Sequence, residues 1–151
     1  MATHREPDLD PRRRLGYLLK HAAMILEELN EQALAPFDIG SRELGLLLTL
    51  ARLEAASQHE VAAALGIDRT TMVAYVDLLE GKGLVARRPD PRDRRRNVVE
   101  LTAVGRRVLR DAARASDEAE REVLRPLDAA DGDRLRSALS AIVAEHDRLR
   151  G

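Results

Sequence analysis

Apolar residues recur at helical spacing from residue 15 onward. Leu15, Leu18, Leu19, Ala22, Ile25, Leu26, Leu29 and Ala33 make one stripe, the mark of an amphipathic helix. Asp10-Pro11 predicts its start, with aspartate as N-cap and proline at the first helical position. It stops before Pro36. Tyr17, His21 and Met24 lie on a second face. Arg42 to Glu54, capped by Ser41, predicts a second helix that is aliphatic on one side. Ser57-Gln58-His59-Glu60 is a capping box for a short helix over 58–65. Val61, Ala64 and Leu65 face inward in it, and Gly66 suits a left-handed C-terminal cap. After a three-residue turn, Asp68 caps a helix over 69–81. Met72, Val76 and Leu79 form its inner stripe, with Tyr75 at the margin. Thr70, Val73, Ala74 and Asp77 point the other way.

The period then changes. Leu84-Val85-Ala86 and Val98-Val99-Glu100-Leu101 are short apolar runs around a loop from Arg87 to Asn97, which predicts a β-hairpin. Pro89 and Pro91 keep its tip out of regular pairing. Thr102 caps a long helix over 103–124 with Val104, Val108, Ala112, Ala115 and Ala119 along its spine. Pro126 interrupts it. Asp128 caps a last helix to about Leu149, with Leu135, Leu139, Ile142, Val143 and His146 as its stripe. The fold class is mainly α with a small β-hairpin, a winged helix-turn-helix over 41–102 in a single domain over 1–151. Flanking helices over 10–35 and 103–149 are expected to dimerise. One protomer has too few apolar partners to cover all of their stripes, so a second copy related by a two-fold axis is the simplest cover.

Charge sharpens this picture. The net charge is only -1, but it is unevenly placed. Lys82 to Arg96 holds seven basic and two acidic residues, and Asp117 to Asp133 holds seven acidic and two basic. One region suits a polyanion and the other repels it. Aromatic residues are 2% of the chain, too few for a platform that stacks single-stranded bases. There is no cysteine, hence no disulfide or thiolate metal site. His4, His21, His59 and His146 show no i,i+4 pair for a metal. No cofactor is expected. No apolar run reaches the ~20 residues of a membrane span. The N-terminus lacks a signal-peptide core, so a cytoplasmic protein is expected.

Double-stranded DNA is the partner these features suggest. A helix fits the major groove and presents its N-terminal residues to base edges. On the 69–81 helix these are Arg69, Thr70, Thr71, Val73 and Ala74. Arg69 can donate to guanine or phosphate. The threonines offer hydroxyls and methyls, and Val73 and Ala74 offer apolar contact alone. The hairpin tip carries Arg92-Asp93-Arg94-Arg95-Arg96, suited to a narrow minor groove. Asp93 is expected to hold Arg95 in an inserting pose through a charge-assisted pair.

The stretch IDRTTMVAYVDLLEGKGLVARRPDPRDRRRNVVELTAVG resembles the multiple-antibiotic-resistance regulator (MarR) family. DPRDRRRNVVELTAVG follows that family's wing and its exit into the next helix, and the resemblance covers roughly residues 12 to 149. It implies an obligate homodimer with interlocked terminal helices, bound to a pseudo-palindromic operator, usually as a repressor. It implies that Asp93 and Arg95 match the paired wing residues, with the arginine in the minor groove. It also implies a small anionic or phenolic effector bound between dimerisation helices and DNA-binding module. The chain departs from the family pattern at Val73 and Ala74, where threonine and arginine are frequent. It lacks the cysteine of peroxide-sensing members.

Two other functions compete. A winged-helix module can serve protein interaction without DNA, although the arginine run argues against that. An enzyme would need a phosphate-cradling loop, a nucleophile motif or metal spacing, and the sequence has none. Tyr17, His21 and Met24 form a mixed patch able to line a pocket for an aromatic acid, or else to sit in a dimer interface.

Overall fold

Local hydrogen bonds decide where most of the helices begin. A computed structural model describes residues 9–150. Asp10 accepts the backbone N–H of Arg12 and caps a single 3-10 turn, Pro11–Arg13. Arg14 is then extended, with ψ 135, so α1 starts four residues later than the Asp-Pro signal predicts and runs Leu15–Leu34. α2 is Ser41–Leu53. Its N-cap is Gly40, not Ser41: the Glu43 carboxylate accepts the Gly40 N–H at 3.3 Å. α3 is Gln58–Leu65, with both bonds of the Ser57–Glu60 capping box formed and Gly66 left-handed at φ 64. Ala62 is buried and Ala64 exposed, the reverse of the pattern expected for that short helix. α4 is Arg69–Gly81, with Met72, Val76 and Leu79 buried.

The sheet is larger than a hairpin. β1, Ala56–Ser57, pairs with β3, Asn97–Leu101, which pairs in turn with β2, Val85–Pro89, giving the order β1-β3-β2. All pairings are antiparallel, and the register places Arg87 opposite Val99 and Pro89 opposite Asn97. Pro89 therefore lies inside a strand rather than in the loop. An edge strand tolerates it, because the missing N–H breaks no interior ladder. The loop shrinks to residues 90–96.

α5 is Ala103–Leu124 and α6 is Ala129–Arg150. Thr102 Oγ1 accepts the Gly105 N–H at 2.9 Å and donates to the Gly83 carbonyl at 2.6 Å. This bond ties the start of α5 to the turn after α4. Val104, expected on the spine of α5, is exposed, while Gly105 and Leu109 take the inner positions. Gly105 sits there because it is small: a Cβ would lie 1.9 Å from the Leu84 carbonyl oxygen.

One core joins α2, α3, α4, the sheet and the first half of α5. Leu47, Leu50, Val61, Met72, Val76, Leu79, Val85 and Val99 are at most 2% exposed. Ala112 and Ala119 let α5 approach α1 closely, and Ser116 Oγ donates to Asn30 Oδ1 across that joint at 2.9 Å. Asn30 is buried, where an unpaired amide would be costly. Away from this core, Leu15, Leu18, Leu19 and Ile25 of α1 and Leu135, Leu139, Ile142 and Val143 of α6 are exposed.

Candidate nucleic-acid interface

α4 presents its N-terminal half to solvent because its inner stripe is fully engaged by the core. Arg69, Thr70, Val73 and Ala74 are exposed on one face. Thr71 is different. Its N–H and its hydroxyl both donate to the Asp68 carboxylate, at 2.9 and 2.6 Å. The hydroxyl is thus part of the helix cap rather than free for a base edge. Those bonds from Thr71 hold the Asp68 carboxyl below its ordinary pKa.

The finger formed by β2, β3 and their loop carries the other candidates. Two aspartates shape its tip through backbone contacts. Asp90 Oδ1 accepts the Arg92 N–H at 2.8 Å, and Asp93 Oδ1 accepts the Arg95 N–H at 3.1 Å. The expected Asp93–Arg95 side-chain pair is replaced by this turn bond. A short aspartate reaches a backbone N–H two residues on more readily than a flexible guanidinium. The Arg96 carbonyl accepts the Asp90 N–H at 2.8 Å and closes the loop. Arg94, Arg95 and Arg96 are exposed, and the charge of Arg96 acts on the Glu60 carboxylate.

Arg87, which the sequence places in the loop, behaves otherwise. Its side chain is only 23% exposed and pairs with Asp77 at 2.5 Å and with Glu80, both on the outer side of α4. Its backbone N–H also donates to Glu80, at 3.1 Å. Burial disfavours the charge, but the bonds to Asp77 and Glu80 outweigh it and the guanidinium pKa is raised. The sequence held a partial signal: Asp77 and Glu80 are one helical turn apart on α4.

The candidate ligand patch lies on α1. The Tyr17 and His21 rings stack with centroids 3.7 Å apart, and His21 Nδ1 donates to the Tyr17 carbonyl at 2.8 Å. Met24 is 57% exposed. His21 and Met24 border a recess of about 430 Å³ made by α1 alone, beside Glu27, Glu28 and Glu31. Three carboxylates disfavour an anion there. A larger cavity, about 850 Å³, lies between α2, β3 and α5. Leu50, Leu101 and Leu109 give it an apolar lining, and Arg106, Arg107 and Arg110 sit beside Glu54 and Glu100. Among the described residues Glu100 pairs with Arg88.

A sequence profile of the MarR family matches residues 37–96, from the turn before α2 to the tip of the finger. The repressor CouR, solved bound to a 23-mer DNA duplex, is 33% identical, with a TM-score of 0.82 over 92% of this chain and 99% of that one. The chain belongs to the MarR family. Like its relatives, this MarR protein is a DNA-binding transcriptional regulator and not an enzyme. The regulator PecS of Dickeya dadantii is 28% identical over 141 residues, 90% of this chain and 84% of PecS. CouR from Rhodococcus jostii has also been solved with p-coumaroyl-CoA, and there the identity is 30% and the TM-score 0.76 over 86% of this chain and 92% of that one. The structure is a winged helix-turn-helix: α3 and α4 are the helix pair and the β2–β3 finger is the wing. Among the described residues no helix is long and apolar enough to cross a membrane.

Proposed function

We propose that this MarR protein is a cytoplasmic homodimeric repressor of a pseudo-palindromic operator. The exposed apolar stripes of α1 and α6 meet across the two-fold axis, and α5 carries each reading module to opposite ends of one DNA face. Arg69, Thr70, Val73 and Ala74 enter successive major grooves, with Thr71 holding the helix start. Arg94, Arg95 and Arg96 reach the flanking minor grooves, and Asp93 shapes the turn that presents them. One observation carries this: the exposed end of α4 and the exposed arginines of the wing belong to one packed module. Half-sites about 34 Å apart are expected.

Release follows from a small anionic effector with an aromatic or apolar body. CouR, which binds p-coumaroyl-CoA, supports that ligand class. The cavity between α2, β3 and α5 suits it better than the α1 patch of Tyr17, His21 and Met24, because Arg106, Arg107 and Arg110 can meet an acid there.

The test is operator binding by fluorescence anisotropy on the promoter beside the protein's own gene. The Arg94→Ala, Arg95→Ala double variant should bind more weakly on most sequences. Its salt dependence should be shallower, by about 0.9 in log–log slope for each phosphate no longer neutralised. Unchanged affinity in that variant overturns the wing assignment. A thermal-shift screen with aromatic acids, comparing Arg106→Ala with His21→Ala, separates the two ligand positions.

A further inference from the structure

Among the wing arginines, Arg87 is the one folded back onto the reading helix. We propose that Arg87 is a positioning residue: through Asp77 and Glu80 it fixes the angle between the wing and α4, and it does not itself contact DNA. Three bonds meet there. The guanidinium joins Asp77 and Glu80, and the Arg87 backbone N–H returns to the same Glu80 carboxylate. Arg88, the next residue, points outward at 67% exposure, as strand alternation requires.

Lever geometry explains why this place matters. Arg87 stands opposite Val99 at the base of the finger, and the arginine tip lies about 15 Å beyond it at strand rise. A rotation of about 20° at the base sweeps the tip by roughly 5 Å, comparable to the ~6 Å width of the minor groove. β1 pairs with β3 only at Val98 and Val99, so beyond them the finger is a two-stranded ribbon, and such a ribbon twists easily and resists the rotation weakly. A guanidinium held by two carboxylates on a different element resists it directly, and its planar fork fixes direction as well as distance. There is a second effect. Asp77 shares the outer face of α4 with Thr70 and Ala74, so its bare carboxylate would repel the phosphate backbone. Arg87 neutralises it.

This inference rests on the wing reaching the minor groove, and the experiment separates the two ideas. The full-length protein is footprinted on its operator at saturating protein. Hydroxyl radicals report the minor groove, and dimethyl sulfate reports guanine N7 in the major groove. Arg87→Gln should lose the minor-groove protection under the wing and keep the N7 protection under α4, with operator affinity lowered about tenfold. Arg87→Lys, which keeps the charge without the fork, should restore part of the protection. Asp77→Asn with Glu80→Gln should reproduce the loss without touching β2, so a folding defect of the Arg87 variant cannot explain it. Adding Arg95→Ala to Arg87→Gln should weaken binding little beyond the worse single variant. Multiplied losses, unchanged protection in Arg87→Gln, or protection retained in the Asp77/Glu80 variant would each overturn the proposal. Should Arg95→Ala alone leave the minor-groove protection in place, the wing assignment falls and takes this one with it.

Discussion

Met72, Val76 and Leu79 on α4 are sealed to within 1% exposure, whereas Leu139, Ile142 and Val143 on α6 stand 37% to 60% exposed. Both helices carry an apolar stripe of similar spacing. The difference lies in what each finds within its own chain. α4 meets α3, the sheet and the common core, which residues 41–102 close together with Leu34 of α1 and with Leu109 and Ala112 of α5. Among the described residues α6 is tied to α5 by Arg136 with Glu120 at 3.0 Å, and its apolar stripe stays exposed. The apolar stripe in the middle of the chain is covered and those at its ends are open. Exposed stripes of this length are the surface on which the proposed homodimer rests.

The comparison breaks first if the core of the middle is not closed by the start of α5 in the way its packing implies. Gly105→Ala is the sharpest probe. Helix propensity favours alanine by about 1 kcal/mol. Here the added Cβ meets the Leu84 carbonyl oxygen at 1.9 Å, backbone against backbone with no side chain to move. Overpacking should win by about 3 kcal/mol, lowering the calorimetric Tm by roughly 6–12 °C. A Tm within a degree of the parent would mean that α5 and β2 are not locked as described. The second probe attacks the ends. Leu139→Glu with Ile142→Glu should sediment as a monomer while amide protection in β3 persists. Operator affinity should fall about a hundredfold as the second module is untethered. If β3 protection collapses together with the dimer, the two regions are one cooperative unit and the contrast is false.

The smallest effect is a pH dependence to which the middle contributes through two capping carboxylates. The bonds from Ser57 hold the Glu60 carboxyl below its ordinary pKa, and those from Thr71 do the same for Asp68. A carboxylate whose pKa is depressed by folding adds stability above its unfolded value, and that stability is lost as pH falls through the folded value. The urea midpoint of the parent should therefore decline below about pH 4. Ser57→Ala should decline less steeply. Equal slopes would show that the capping box does not survive in solution.

What could be read from the chain beforehand follows the range of each interaction. The starts of α3, α4, α5 and α6 depend on Ser57, Asp68, Thr102 and Asp128, each bonded to an N–H three residues on. Such caps are visible in a window of four letters. Gly40 in place of Ser41 escaped because glycine has no side chain to announce a cap. β1 escaped because two residues show no alternation, and only β3, forty residues later, makes them a strand. The tip of the wing was legible as charge but not as geometry, since Asp93 selects a backbone N–H over a guanidinium. Arg87 read as one more loop arginine because its role depends on strand register. The arginines beside the α2–β3–α5 cavity are plain on α5, but the recess also needs Leu50 and Glu54, far off along the chain on α2 and just after it.

Ser57 belongs to two structures at once. Its backbone pairs with Val98 in the sheet, and its hydroxyl accepts the Glu60 N–H that opens α3. The supporting helix is consequently riveted to the root of the finger, and the reading helix follows it through one short turn. A lineage seeking a new binding site has little freedom to tilt these parts against one another. On the proposed reading it must instead respell the few outward letters at positions 69, 70, 73 and 74, which leaves this corner of the molecule as an interchangeable nameplate on a fixed bracket.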